Sequence, residues 1–388
     1  MKILYLISSV VLNPEANTGY GRHIRETVTG LTDRGYEVIV LRAGEFSLKE
    51  GGVSIHEKLG KSIWKKLVPG LIWETIKDIR QLMVNARFKK QVIAAIKDHH
   101  PDLVYERTSY LSDTITINVN YQLPWYLEVN SPFIEQRVKL SGKSLLVIIA
   151  SLMEKRKFAL ATHTFCVSGI LANYILKEFE ALTTKVSVNH NGVNSNDFIS
   201  INQIKDESED FIFGFVGSIM PYHGIDLLIE AFANVQGKIQ SPKLLIVGDG
   251  IAIPDLKRKA IQLGVADQVQ FTGGVSKKEI PRLIDEMDVC ILPQTAWYCS
   301  PIKLFEYGIK GKPIIAPRVD SVAEILIDGV DGLLIEGADE LEKSMQFYFD
   351  NPLRAHEMAG TFKVKVLTNY TWDNNIEKIQ KVFIEHLN

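Results

Sequence analysis

FIFGFVGSIMPYHGIDLLIEAFANV, residues 211–235, runs from an unbroken apolar stretch, Phe211–Val216, through a turn built on Gly217, Pro221 and Gly224 into a helical pattern from Ile225 to Val235. A short apolar run without polar alternation reads as a strand buried on both faces. That is the signature of a parallel sheet covered by helices. The same unit recurs downstream. Lys243–Val247, Val269–Phe271, Val289–Leu292, Pro313–Ala316 and Gly332–Ile335 read as strands, and Asp255–Leu263, Lys277–Glu286, Lys303–Lys310 and the short Val322–Ile327 as helices.

Upstream the pattern has already run once. Ile3–Ser8, Glu37–Arg42, Leu103–Glu106, Trp125–Val129, Thr164–Val167 and Lys185–Asn189 read as strands, and Ile24–Arg34, Arg87–His99, Ser144–Ala161 and Gly169–Phe179 as helices. Turn formers follow in HNGVNSNDF, and the polar, acidic Ile201–Asp210 reads as the linker. The expected fold is α/β, with two Rossmann-like doubly wound domains facing across a cleft at the carboxyl ends of their sheets, where open parallel sheets bind ligands. The first domain is placed at 1–190 and the second at 191–371. The amphipathic Trp372–Leu387 is expected to cross back as a helix, so that 372–388 joins the first domain.

Composition agrees. The chain has 388 residues, 46% hydrophobic and 23% charged, enough for two cores and far from the disordered class. A net charge of −2 carries no basic excess, so nucleic acid is not an expected partner. Cys166, Cys290 and Cys299 form no CxxC pair or metal-ligand spacing and read as reduced thiols of a cytoplasmic protein. The apolar start, MKILYLISSVVLNP, reads as a buried first strand and not as a signal peptide. Leu145–Met153 is the most lipid-like stretch, yet far short of the roughly 20 residues of a spanning helix.

Chemistry concentrates after strands. Asn17–His23 follows the first strand, and Gly19 and Gly21 let backbone approach a ligand at a helix N-terminus, where free N–H groups favour an anion. The alternative is a plain strand-to-helix turn. No GxGxxG pattern or following acidic residue marks a dinucleotide site, which disfavours an oxidoreductase. In the 211–235 stretch, Gly217, Ser218 and His223 form a loop able to hold a diphosphate; the alternative is a solvated loop. Trp297–Tyr307 (WYCSPIKLFEY) again joins strand to helix. Lys303 falls in the first turn, where a cation opposes the helix dipole, so an anion to neutralise is expected there. Glu306 shares its face, suited to ribose hydroxyls; the alternative is a surface Lys–Glu pair. Glu128 and Asn130 end a first-domain strand, as Tyr105–Arg107 ends its neighbour, and each can be either a cleft residue or a satisfied buried polar group. Between 58 and 87, Lys61, Lys65, Lys66, Lys77 and Arg80 interleave with Trp64, Leu67, Trp73 and Ile76. This segment suits a peripheral contact with the inner face of a membrane, although a core-facing stripe with a solvated cationic face is the favoured alternative.

Taken together these passages resemble the family 4 (group 1) retaining glycosyltransferases of the GT-B fold. The likeness rests on Thr18-Gly19, Val167-Ser168 with Asn191-Gly192-Val193, Val216–Phe232, Leu244–Leu256, Val269–Ile280, Gly311–Ala316 and Glu324–Leu333. The chain departs where the family carries a phosphate-binding Arg and Lys, having Ser218 and His223. It also has Tyr298 at the first Glu of the E-x7-E element. A variant branch with HG and SPxKLFEY is the nearer likeness, and there Lys303 stands in as the cation.

The resemblance implies a metal-independent, cofactor-free glycosyl transferase using a nucleotide-diphosphate sugar, with UDP as the common base, and a hydroxyl acceptor, either a saccharide or a lipid-linked saccharide. Its setting would be cell-surface polysaccharide or glycoconjugate biosynthesis. Lys303, His223 and Glu128 are the expected catalytic residues. Gly19, Gly217, Ser218, Gly273, Val275, Tyr298, Ser300, Pro301 and Glu306 are the expected donor contacts, with Gly19 toward the diphosphate, Glu306 on the ribose, the Gly273–Val275 loop beside the base and the N–H groups near Ser300 on sugar or phosphate. His223 is expected to titrate near neutrality. A scaffold with impaired catalysis, a sugar-nucleotide epimerase and a phosphorylase are the competing readings.

Overall fold

The computed structural model describes residues 1–16, 18–44, 69–180, 185–198 and 210–387. Residues 201–209 of the expected linker, and Lys61, Trp64, Lys65, Lys66 and Leu67 of the basic segment, lie outside the described residues, as does Asn17.

By compactness the chain divides into two units. The first holds β1 (Lys2–Ile7), α1 (Gly19–Asp33), β2 (Glu37–Arg42), α2 (Gly70–His99), β3 (Leu103–Arg107), α3 (Asn118–Tyr121), β4 (Trp125–Val129), α4 (Phe133–Ser141), α5 (Val147–Leu160), β5 (His163–Cys166), α6 (Gly169–Glu178) and β6 (Val186–Val188). Its strands form one parallel sheet in the order β2-β1-β3-β4-β5-β6. The apolar runs are central because they have helices on both faces to bury them: Ile3–Ile7, Leu103–Tyr105 and Trp125–Leu127 are fully buried. Ser168 caps α6 by accepting from Leu171 N at 3.3 Å.

The second unit holds β7 (Phe211–Val216), α7 (Ile225–Asn234), β8 (Pro242–Val247), α8 (Ile253–Gln262), β9 (Val269–Phe271), α9 (Ile280–Glu286), β10 (Val289–Ile291), α10 (Ile302–Ile309), β11 (Ile314–Pro317), α11 (Asp320–Ala323), β12 (Leu333–Ile335), α12 (Ala338–Asp350) and α13 (Pro352–Asn369). Its parallel sheet runs β12-β11-β10-β7-β8-β9. The chain lays β7, β8 and β9 outward in one direction, then returns to β7 to lay β10, β11 and β12 outward in the other. The reversal falls between β7 and β10, so the loops leaving them part in opposite directions and open a crevice at their carboxyl ends.

The last helix, α14 (Trp372–Leu387), serves both units. Its start is held in the second, where Trp372 N donates to Val193 O at 3.1 Å and Asn375 Nδ2 to His190 O at 2.6 Å. Its end packs in the first, where the buried Phe383 ring lies 4.5 Å from that of Tyr126 and 6.0 Å from that of Tyr105.

Two readings need correction. The sequence pattern leaves 336–371 without helices, yet α12 and α13 fill it, and Phe362 and Val366 of α13 press so closely on α10 that only a glycine fits at Gly308. The helix expected at Arg87–His99 begins at Gly70. Its first turns do not bury an apolar stripe; they bury Glu74 and Asp78, which together hold Arg137 of α4 at 3.0 and 2.9 Å.

Candidate functional site

The crevice between β7 and β10 is furnished from both sides. On the β10 side, Asn191 N donates to Ser300 Oγ at 3.0 Å and Asn191 Nδ2 to Ser300 O at 2.5 Å, fixing the loop before α10. Pro301 stands at the helix cap, and no side chain caps the N-terminus of α10, leaving its first N–H groups for a ligand. Tyr307, one turn into α10 from Lys303, is buried, and its hydroxyl accepts from Val216 N at 2.8 Å. This bond locks α10 against the end of β7 and decides where Lys303 and Glu306 sit. Motif reading passed over Tyr307 because an internal tyrosine in a helix signals packing; its hydroxyl partner is visible only in three dimensions.

On the β7 side, Gly217 adopts φ +148°, and a Cβ there would collide with Lys303 Cε. Glycine is needed twice over, for conformation and for room. Gly248, after β8, has φ +130°, and a Cβ on it would strike the carbonyl of Gly217. Gly217 N donates to Val247 O at 2.9 Å and Gly248 N to Gly273 O at 3.2 Å, so the loops after β7, β8 and β9 are laced together. Gly273 is thereby placed in the same loop layer, with Val275 half-buried beyond it.

Lys303 threads between these loops. Its Nζ lies 4.5 Å from the centroid of the Phe215 ring, a cation–π contact that holds the ammonium over the end of β7. Burial pushes its pKa down to about 8, with Glu306 opposing the shift. An ammonium desolvated in this way gains most from an arriving anion.

His223 lies beside it, its ring 6.0 Å from Phe215 and 4.6 Å from the exposed Tyr222. Nδ1 lies 2.6 Å from Ser218 O. A carbonyl can only accept, so Nδ1 carries the proton and Nε2 of the neutral ring presents a lone pair. Burial, helped by the Lys303 charge, pushes the His223 pKa down to about 4. The expected titration near neutrality is therefore corrected: at pH 7 the ring is neutral and acts as a hydrogen-bond acceptor, not a second cation. Ser218 is exposed and contributes its carbonyl to this arrangement. Tyr298 is half-buried, its ring edge-on to Trp297 at 5.4 Å.

Lys303, Glu306, Gly217, Ser218, His223, Ser300, Pro301, Tyr298, Gly273 and Val275 are thus all carried on loops and helix starts at the carboxyl edge of the second sheet. Thr18 and Gly19 also group with this unit, although the rest of α1 belongs to the first. Glu128 belongs to a different constellation in the first unit. Strand pairing sets it beside Arg107, which bonds its Oε1. His23 Nε2 at 3.0 Å and Asn130 Nδ2 at 2.8 Å share that oxygen, and Tyr105 OH donates to Oε2 at 3.2 Å. Burial would raise the Glu128 pKa, but His23 and Arg107 outweigh it and hold the carboxyl well below the usual range. Such a carboxylate is built to position its partners. In the sequence His23 and Arg107 stand only as the last residues of Asn17–His23 and Tyr105–Arg107.

Replacing Gly217 by alanine is expected to cost about 1–3 kcal/mol through backbone strain and to push Lys303 aside. Urea melts should record the first effect, and calorimetric titration with pyrophosphate should record weaker binding. Unchanged pyrophosphate affinity would disconnect Gly217 from the lysine.

Two six-stranded parallel sheets, the second with a glycine-lined, lysine-bearing switch point, define a GT-B class protein with a nucleotide-binding type of site. Comparison points the same way: residues 17–197 match Glycosyltransferase Family 4 and residues 210–351 match Glycosyl transferases group 1, one match in each half of the chain. An uncharacterized glycosyltransferase of Methanocaldococcus jannaschii is 25% identical over 254 residues, 63% of this chain and 67% of that protein. The GDP-mannose-dependent alpha-(1-6)-phosphatidylinositol monomannoside mannosyltransferase of Mycolicibacterium smegmatis is 28% identical over 162 residues, 40% of this chain and only 42% of that protein. Among solved structures, Anabaena HepE in complex with UDP superposes with a TM-score of 0.72 at 17% identity, covering 99% of this chain and 100% of that one. The same protein is also known with UDP-glucose.

Proposed function

We propose that this chain transfers a glycosyl group from a nucleotide-diphosphate sugar, UDP-linked as in HepE, to a hydroxyl acceptor. The motif resemblance further suggests retention at the anomeric carbon and a place in polysaccharide or glycoconjugate biosynthesis. The observation that carries the reading is the Lys303 ammonium, held against Gly217 and Phe215 at the switch point of the second sheet. As the bond from the anomeric carbon to the diphosphate breaks, negative charge collects on the leaving oxygen. A preorganised cation and the uncapped N-terminus of α10 stabilise that charge where it grows. They supply this without drawing on a metal. Neutral His223, with Nε2 as acceptor, suits a hydroxyl of the transferred sugar. Glu306 suits the ribose hydroxyls, and the Gly273–Val275 loop suits the base.

Calorimetry with UDP, GDP and their sugars tests the donor. A nucleotide at a hundredfold excess over its Kd should add roughly 2.7 kcal/mol of stability, and turnover is expected to continue in EDTA. Glu306→Ala removes a charged hydrogen-bond acceptor worth about 1.5–3 kcal/mol, so nucleotide affinity is expected to fall by roughly ten- to a hundredfold. Unchanged affinity would remove Glu306 from the ribose site, and the absence of binding by any nucleoside diphosphate would defeat the donor reading. Tyr298 in place of a family carboxylate keeps one competitor in view, a scaffold that binds donor without turning it over. Release of nucleoside diphosphate on adding an acceptor decides between them.

A further inference from the structure

The helix α5 is oriented against its own hydrophobicity. Its inward face buries Ala150 and Phe158 together with an ion pair, Lys157 to Glu154 at 2.8 Å, each residue no more than 2% exposed. Lys157 also donates to Ser109 O at 3.0 Å. Its outward face displays aliphatic side chains. Leu145 is 62% exposed, Ile148 75% and Leu152 65%, with Ile149 beside them and Leu140 close by at the end of α4. Within the helix Ile148, Ile149 and Leu152 lie on one outward face, with Leu145 exposed in the turn just before it. In water the reverse orientation would be favoured, with aliphatics inside and charges outside. A contiguous exposed apolar stripe marks an interaction surface.

The stripe is held rigidly outward. Leu145 N donates to Thr75 Oγ1 of α2 at 3.0 Å, Leu146 N to Ser144 Oγ at 3.1 Å, and Arg137 Nη1 to Gly142 O at 3.1 Å, pinning the α4–α5 turn to the body of the unit. The exposed charges within 139–156 have one sign, although one of them, Lys155, is paired with Glu180 at 2.8 Å. Lys139 and Lys143 are exposed at one end, and Lys155 and Arg156 at the other. Between 139 and 156 the only acidic residue is Glu154, which faces inward. A second copy of the chain paired across a two-fold axis would set cationic end against cationic end. An anionic lipid surface complements both the stripe and its rim.

We propose that α5 and the preceding turn form an in-plane membrane-docking face that inserts Leu145, Ile148 and Leu152 into the headgroup boundary of a bilayer rich in anionic lipid. At 14 residues the helix lies on a bilayer and does not cross it. In the sequence the surface lies outside the basic 58–87 segment, although Thr75 of that segment holds its first turn, and the proposal holds whichever donor or acceptor is used.

The test is flotation of the full chain with phosphatidylglycerol-rich vesicles and with pure phosphatidylcholine vesicles. Wild type is expected to float with the former, and less so at high salt. The double variant Ile148→Glu with Leu152→Glu is expected to lose roughly a hundredfold in vesicle affinity, while its circular-dichroism melt stays that of wild type. Should the double variant misfold, Lys139→Glu with Lys143→Glu provides a second test, and weakened binding to anionic vesicles is expected. Vesicle binding unchanged in both variants overturns the proposal, as does absence of wild-type binding to either composition. A wild-type dimer that the I148E/L152E pair converts to monomer, without vesicle binding, would instead assign the face to a second copy.

Discussion

Lys303→Ala is expected to lower kcat/KM by roughly 10²–10³-fold, the loss typical of removing one preorganised group from a site of developing negative charge. The fold should survive, because the lysine contributes little to the core. Leu304, Phe305 and Tyr307 bury the opposite face of α10, and Tyr307 keeps its bond to β7. Lys303→Arg is not expected to rescue: the planar guanidinium is bulkier than an ammonium, and the passage beside Gly217 already excludes a single methyl group.

The lysine also carries a pH signature. Its pKa lies at about 8 in the folded protein against an ordinary 10.5. Between those values the unfolded chain holds a proton that the native state has released, so this group makes stability rise with pH across the interval. Below about 8 the native lysine is charged and its desolvation weighs in full. Nucleotide binding runs the other way, since a diphosphate draws the proton back on and affinity should decline above about pH 8. Calorimetric titrations across pH are expected to show that decline in wild type and its absence in Lys303→Ala. A folded variant with wild-type turnover would remove Lys303 from the mechanism.

The apolar runs made the sheets legible because parallel strands bury both faces, which leaves an unbroken signal in the sequence. Loops after strands were legible for a related reason: Gly217, Pro301 and Lys303 are unusual choices for their positions. What sequence could not show was anything decided by a through-space partner. The carbonyl of Ser218 fixes the tautomer of His223, and burial, then the neighbouring Lys303, lowers its pKa, yet the sequence shows only an imidazole in a turn. Tyr307 and Gly308 look like ordinary helix residues until Val216 and Phe362 are placed beside them. The α5 surface was half legible. Its apolar content stood out, but only burial reveals that the charged pair points inward and the aliphatics outward.

Glu128→Ala is expected to destabilise the first unit by about 3–5 kcal/mol, the usual cost of stripping one partner from a buried charge pair. It leaves Arg107 at 5% exposure and His23 at 6% without the carboxylate they share. The Arg107→Ala, Glu128→Ala double variant is expected to lose less than the sum of its single variants, because removing both partners leaves no orphaned charge. Denaturant midpoints read both effects. The carboxyl is held below its usual pKa by His23 and Arg107, so its contribution to stability is complete above the ordinary carboxylate range and fades as pH falls through the lower native value. Glu128→Gln, which keeps the shape and loses that linkage, should therefore show a flatter decline in acid than wild type. The same variant separates positioning from catalysis. Among the described residues the four contacts to the carboxylate come from the first unit's own side chains, which occupy Oε1 three times and Oε2 once. Assayed well below its melting temperature, Glu128→Gln is expected to lose less than about tenfold in kcat, short of the roughly 10²-fold or more that removing a working acid or base costs. A larger fall in kcat with an unchanged melt would place Glu128 against the reacting atoms.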